Sequence, residues 1–344
     1  MIGIGVVGIG MVAGIHVRAL QDLSDIAEVR GVYSRNPARL DEFCKKWNLP
    51  VAGSLEDLLG RDDIDVVLVL TPPNARREIV AAAAAAGKHI LLEKPLERDS
   101  AAAQELVDIA SAAGVTLGVV FQNRFREASL KLQSLIESGE LGALSIAQVN
   151  VPWWRPQTYY DEPGRGTYER DGGGVMINQA IHTLDLLQVY TGPVSEVMAL
   201  MGTSSIHKME AEDFVSAGVR FESGALGSIV ATTAAYPGGP ETIELGFEKA
   251  SAHLGAGVLT VSHHDGRTET FGEQTGTGGG ADPMAFPHDW HTSNQRDFLE
   301  AVRDGRQPIV TGAEALKVHR LIDALTLSSR EKRAVTLSEV GTDE

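Results

Sequence analysis

The sequence predicts an α/β domain with a doubly wound parallel sheet over residues 1–122. An α+β domain with a large, mostly antiparallel open sheet follows over residues 123–344. Three observations carry this. Apolar runs of strand length alternate with helical segments up to about residue 120, with turn residues at each junction. A glycine-rich turn follows the first of these runs at once. From Val194 to about Phe271 the pattern changes to short alternating segments separated by glycine-containing turns, as in an antiparallel sheet with one buried face. A chain of 344 residues is long enough for two such cores.

The first run, Ile2 to Val7, leads into Gly8-Ile9-Gly10-Met11-Val12-Ala13, a G-x-G-x-x-A fingerprint that opens a helix from Gly14 to Leu23. The first glycine permits the tight turn, the second lets backbone approach a pyrophosphate, and the alanine keeps helix and strand close. Gly8, Gly10, Met11 and Val12 are therefore expected to cradle a dinucleotide at the positive end of that helix, in a Rossmann arrangement. His16, in the same helix, reads as a packing residue. A strand from Glu28 to Tyr33 ends in Ser34-Arg35-Asn36 and not in an acid. A hydroxyl and a guanidinium suit a 2′-phosphate, which favours NADP; NAD is the alternative, with Arg35 stacked on the adenine.

The alternation continues through helices at 37–47 and 55–59, a short strand near Val51 and the run Val66 to Leu70. That run delivers the loop Thr71-Pro72-Pro73-Asn74, followed by a helix over 75–86 closed by Gly87. The next strand ends in Glu93-Lys94-Pro95, which places a lysine at the carboxyl end of a buried strand, where α/β sheets bind ligands. Desolvation there brings a lysine toward acid–base chemistry, and the proline restricts its backbone. A helix over 100–113 and a strand over 115–120 lead to Phe121-Gln122-Asn123-Arg124-Phe125.

G-x-G-x-x-A, T-P-P-N, E-K-P and F-Q-N-R-F, in this order, resemble the Gfo/Idh/MocA oxidoreductases, relatives of glucose–fructose oxidoreductase and inositol dehydrogenase. The resemblance implies that Lys94 lies beside the nicotinamide and the substrate carbon as a catalytic residue, often with a cis bond to its proline. It makes Thr71, Pro72, Asn74, Glu93 and Asn123 cofactor neighbours. Arg165 falls where relatives carry a Trp-Arg pair near the cofactor, with Gly164 in place of the tryptophan.

Past residue 123, a helix over 127–138 and a strand over 145–153 precede a segment, 154–170, rich in aromatics, Arg, Pro and Gly that reads as a loop over a site. Gly172-Gly173-Gly174 then introduces a helix from Val175 to Tyr190, on which Asn178, His182 and Asp185 share a sector of roughly 60°. This polar stripe suits a wet cleft. It also matches the family pattern G-G-G-x-x-x-N-Q-x-x-H-x-x-D, with Asn178 where inositol dehydrogenase-like members have Asp. Lys94, His182 and Asp185 are thus the expected catalytic set, with Asp185 either orienting the imidazole or making a plain helix-surface contact. Lys94, Trp153, Tyr160, Asn178 and His182 are the expected substrate contacts. His263 and His264 read as turn residues, Gly276 to Ala281 as a loop, and 290–302 and 313–329 as closing helices; whether His288 and His291 reach a site is open.

A net charge of −16 argues against a nucleic-acid or anionic-membrane surface. The single cysteine, Cys44, excludes an internal disulfide and a Cys-based zinc site, and no other metal site is expected. No apolar run is long enough for a membrane span and no leader pattern precedes the first strand, so a cytoplasmic protein is expected. The resemblance implies hydride transfer between a nicotinamide cofactor and a secondary alcohol or ketone of a sugar, sugar derivative or cyclitol, in a homo-oligomer (dimer or tetramer). Its rivals are an NAD-dependent glycosidase of the same family and a non-catalytic dinucleotide-binding regulator.

Overall fold

The computed structural model describes residues 1–276, 279–280 and 286–340. The expected loop at 276–281 lies outside these at 277, 278 and 281. The chain forms two compact units. One comprises Met1–Glu97, Ala101–Gln122 and His288–Leu316; the other comprises Arg98–Ser100, Asn123–Pro287 and Lys317–Glu344.

The first unit runs through β1 (Ile2–Val7), α1 (Ala13–Asp22), β2 (Ala27–Tyr33), α2 (Pro37–Trp47), α3 (Leu55–Leu59), β3 (Val66–Val69), α4 (Arg76–Ala85), β4 (His89–Glu93), α5 (Ser100–Ala112) and β5 (Leu117–Val120). Its strands pair in parallel in the order β2-β1-β3-β4-β5. Chain order reverses at β1, which creates the crevice where such sheets take ligands. β3 and β5 are buried throughout, as strands covered on both faces must be. The strand expected near Val51 is a single bridge to Val32. Helices α2 and α3 are capped by their own side chains: Asn36 Oδ1 accepts from Arg39 N at 3.1 Å and Ser54 Oγ from Asp57 N at 3.0 Å. The start of α1 has no side-chain cap and no acid in its first turn.

The second unit contains α6 (Glu127–Glu137), β6 (Leu144–Pro152), α7 (Gln157–Tyr160), α8 (Tyr168–Asp171), α9 (Ile181–Thr191), β7 (Val194–Gly202), β8 (Phe214–Phe221), β9 (Leu226–Thr232), β10 (Thr242–Phe247), β11 (Ala250–Gly255), β12 (Val258–His263) and β13 (Thr268–Phe271). Late in the chain come α10 (Asp289–Asp304), α11 (Gly312–Glu331) and β14 (Val335–Thr336). The sheet has nine strands in the order β13-β12-β11-β10-β6-β9-β8-β7-β14, antiparallel except for the β6–β9 pair. Burial alternates along β8, β10, β11 and β12, so one face is core. On the other face Ile146, Met198, Leu200 and Leu226 are each more than half exposed.

Two expectations change. The helix read as continuous from Val175 to Tyr190 begins with a π-helical turn, Met176–Ala180, before α9. A regular 100° step therefore does not relate Asn178 to His182. Second, α10 belongs to the first unit although it follows the second domain's sheet in sequence. Gly118 of β5 has no side chain because the ring of Phe298 occupies that space, and Phe298 and Leu299 complete the core made by Ile4, Val6, Val66, Leu68 and Leu91. Among the described residues, no helix is long and apolar enough to cross a membrane.

Candidate functional site

In the first unit the candidate residues lie at the carboxyl ends of β1 to β4. Gly8 has φ +103, and a Cβ there would lie 3.0 Å from the Leu70 carbonyl carbon, so the turn after β1 needs glycine both for its backbone and for its closeness to β3. Gly10, Met11 and Val12 follow as the entry to α1, where no side chain caps the helix and the Gly10 and Val12 carbonyls accept from Ala13 N and Ile15 N at 3.1 Å each. Arg35 is exposed just past the end of β2. Asn36, beside it, is spent on capping α2.

Thr71 and Pro72 follow β3 half-buried, with Asn74 exposed. Thr71 Oγ1 is buried with no hydrogen-bond partner among the described residues. Its carbonyl is gripped by the fully buried Arg76, through Nε at 3.0 Å and Nη2 at 2.8 Å, while Nη1 donates to the Leu96 carbonyl at 3.3 Å. One guanidinium thus ties the loop after β3 to the loop after β4. Burial draws its pKa down to about 10 against the opposing charges of Glu93 and Glu97, so it is still a cation at neutral pH.

At the end of β4, Glu93 is buried, Lys94 half-buried, and the Lys94–Pro95 bond is cis. His16, expected only to pack, has Nε2 3.2 Å from Glu93 Oε1, and Gln295 Nε2 lies 2.8 Å from its Nδ1. His291 stacks edge-on at 5.0 Å. His16, Glu93 and His291 offer three ligand atoms within 4.8 Å of one another, but both ring nitrogens of His16 are already engaged, by Gln295 and Glu93. His288 instead meets Asp22, at the end of α1, at 2.8 Å.

In the second unit two members of the expected polar stripe are buried, His182 at 9% and Asp185 at 2% exposed, while Asn178 is half-buried. Asp185 has a partner the sequence reading did not foresee: Arg124 donates to both its oxygens, at 2.7 and 2.6 Å. Asn123, beside Arg124, is buried. Asn178 donates to the carbonyls of Gly173 and Gly174 at 2.8 and 3.1 Å, so its amide folds the glycine loop. Gly174 lacks a side chain because the Glu212 backbone fills that position, and the Glu212 carboxylate accepts from the amides of Gly174 and Met176. Burial raises the pKa of that carboxyl.

The aromatic segment is ordered by its own contacts. Tyr160, expected to meet substrate, is buried with its hydroxyl 2.7 Å from Thr233 Oγ1, and burial raises the pKa of that phenol. Arg165 lies over the Tyr159 ring at 4.5 Å and pairs with Glu162. Trp153 is 9% exposed under Arg155, and its indole N–H has no partner among the described residues. His207 bridges Asp213 at 2.7 Å and the Arg155 carbonyl at 2.8 Å, with Tyr160 against its ring. His263, read as a turn residue, ends β12 and meets Glu269 at 2.9 Å.

The parallel sheet, the glycine turn at its switch point, the uncapped helix and the orphaned Thr71 hydroxyl fit a dinucleotide, and they define the class: a dinucleotide-binding α/β protein with a second, sheet-built domain. Residues 2–121 match the model of the oxidoreductase family with an NAD-binding Rossmann fold, and residues 129–274 match the GFO/IDH/MocA C-terminal domain. The chain belongs to this oxidoreductase family. It is 28% identical over 345 residues to the myo-inositol 2-dehydrogenase of Thermotoga maritima, covering 98% of this chain and 99% of that one. It is 24% identical over 369 residues to a scyllo-inositol 2-dehydrogenase (NADP(+)) of Bacillus subtilis, with 98% and 96% covered. The WlbA dehydrogenase of Chromobacterium violaceum, solved with NADH and UDP-GlcNAcA, superposes with a TM-score of 0.85 at 31% identity, over 100% of this chain and 97% of that one.

Proposed function

We propose that this oxidoreductase moves a hydride between a nicotinamide cofactor and a secondary alcohol carbon of a sugar, sugar derivative or cyclitol. The observation that carries the proposal is Glu93-Lys94-Pro95 at the end of β4, tied through Arg76 to the loop after β3. The bound nicotinamide supplies hydride transfer at its C4. This chain's residues bind and move protons. The amides after Gly8 and Gly10 hold pyrophosphate, Thr71 offers its unspent hydroxyl, Lys94 holds and polarises the substrate oxygen, and His182 takes its proton. NADP is the favoured cofactor, because Arg35 stands exposed where an acid would bind the ribose hydroxyls of NAD. The half-exposed apolar side chains on the outer sheet face support a homo-oligomer.

The test is a panel of cyclitols, free sugars and nucleotide-linked uronic acids, run against both cofactors while nicotinamide absorbance is followed. Turnover of one class is expected. No turnover across the panel, with tight cofactor binding, would favour a regulatory protein. Calorimetry should show NADP binding more tightly than NAD, with Arg35→Ala costing on the order of 1.5–3 kcal/mol for NADP alone; equal affinities would make Arg35 an adenine-stacking residue.

A further inference from the structure

We infer that His16 and Gln295 are positioning residues: a buried relay, Gln295–His16–Glu93, fixes the carboxylate that precedes Lys94 and so presents that lysine as a cation. The inference rests on Lys94 being the residue that meets the substrate oxygen.

The relay is drawn from three distant parts of the first unit: α1, which opens at the dinucleotide turn, the end of β4, and α10. His16 is 0% exposed, so its hydrogen bonds are made inside the protein. The Gln295 amide nitrogen donates to Nδ1 at 2.8 Å, which leaves the ring proton on Nε2, and that N–H donates to Glu93 Oε1 at 3.2 Å. A histidine held by a second partner in one tautomer and orientation is how proteins fix the group on its far side.

Among the described residues, four charged or titratable groups act on this carboxylate most directly. They are His16 on α1, His291 on α10, Lys94 beside it in sequence, and Arg76 on α4, which also acts on Glu97. Burial alone would push the Glu93 carboxyl up, but the His16 hydrogen bond, with the charge of Lys94 beside it, outweighs it and holds it below its ordinary range. Burial and the proximity of His16 hold His291 down at about 3, so at neutral pH it is not a cation. The carboxylate's charge therefore bears on Lys94 and Arg76. Remove the His16 donor, and a carboxyl buried to this degree takes up a proton, leaving Lys94 without its neighbouring anion.

The experiment uses the full chain labelled with carbon-13 at lysine Cε, with the Lys94 resonance identified by Lys94→Arg. Its titration is followed in wild type, His16→Leu, His16→Gln and Gln295→Leu. In His16→Leu the Lys94 midpoint is expected to fall by about one pH unit. His16→Gln, whose amide can still donate to Glu93, restores most of it. Gln295→Leu, mild enough to use if His16→Leu does not fold, gives a smaller fall in the same direction. A purely structural His16 would leave the midpoint in place in every variant that folds, and that result, or a His16→Gln that behaves like His16→Leu, overturns the relay. Turnover is read separately: if Lys94→Arg keeps full kcat on the identified substrate, the role given to Lys94 fails, whatever the titration shows.

Discussion

Arg76 reaches the carbonyl oxygen of Thr71 with two of its nitrogens, at 3.0 and 2.8 Å, and it does so with only 2% of its surface exposed. A lysine cannot reproduce this, because a single ammonium cannot grip Thr71 twice and also reach Leu96. Arg76→Ala leaves the half-buried Thr71 and the buried Leu96 carbonyls without their donor and removes the cation facing Glu93 and Glu97, a loss on the order of 3 kcal/mol. We expect Tm to fall by roughly 5–10 °C, with Arg76→Lys in between, and cofactor affinity to fall about tenfold because the Thr71 loop is no longer held. An Arg76→Lys protein with wild-type Tm and affinity would show that the double grip carries no weight.

Arg124 and Asp185 form the second tie, a forked pair with side chains 9% and 3% exposed. Breaking such a pair leaves one buried charge uncompensated, which costs about 3–5 kcal/mol. Asp185→Asn is expected to destabilise by at least about 2 kcal/mol, since the amide still accepts one hydrogen bond. Urea unfolding measures that. If Asp185→Asn unfolds like wild type while kcat falls sharply, Asp185 serves the imidazole of His182 and the tie to Arg124 is secondary.

The parts legible in the sequence are those whose physics is local. Gly8 announces itself because a tight turn and a helix entry need glycine within a few residues. Lys94 does so because a lysine ending a buried run is out of place. The relay was not legible. His16 and Glu93 are 77 residues apart and Gln295 lies 279 from His16, so no spacing rule joins them, and a lone histidine on a packed helix looks apolar in pattern. The wheel that grouped Asn178 with His182 assumed a regular helix, and nothing in Met176–Ala180 signals a π turn. The aromatic neighbourhood of Tyr160 points to a substrate contact, but its hydroxyl partner Thr233 lies on the far side of three strands in sequence.

His291 gives the protein a specific acid sensitivity. Burial, and next the proximity of His16, hold it down at about 3, whereas an unfolded histidine takes up a proton near 6.5. The folded state refuses a proton that the unfolded state accepts. The stabilisation is therefore whole above about pH 6.5 and is lost progressively as pH falls toward 3, at no more than about 1.4 kcal/mol per pH unit. Glu93 works in the same direction only at lower pH, once an unfolded carboxyl begins to protonate. The window from about pH 6.5 to 5 therefore reports on histidines, and His89, also lowered by burial, is common to both proteins compared. Urea midpoints in that window should drop more steeply for wild type than for His291→Gln; parallel curves would mean that His291 takes up its proton in the folded protein as easily as in the unfolded one.

The last prediction concerns the proton that must leave when an alcohol becomes a carbonyl. A base has to sit within hydrogen-bond reach of the hydroxyl and titrate near the working pH, and an ordinary imidazole meets the second condition at about 6.5. A lysine meets it only after a large downward shift, and the buried anion of Glu93, next in sequence to Lys94, opposes such a shift by favouring the cation. On the function proposed above, the proton is expected to pass to His182, with Lys94 carrying the polarising charge. Each alanine variant is expected to lower kcat by roughly 10²–10⁴ with little change in cofactor affinity. The pH profiles should separate them. Without His182 the rise of kcat through neutrality disappears, while without Lys94 the rise remains at a lower level. If His182→Ala keeps wild-type kcat and profile, the base is Lys94 itself, and the anion beside it has to be neutral when the enzyme turns over.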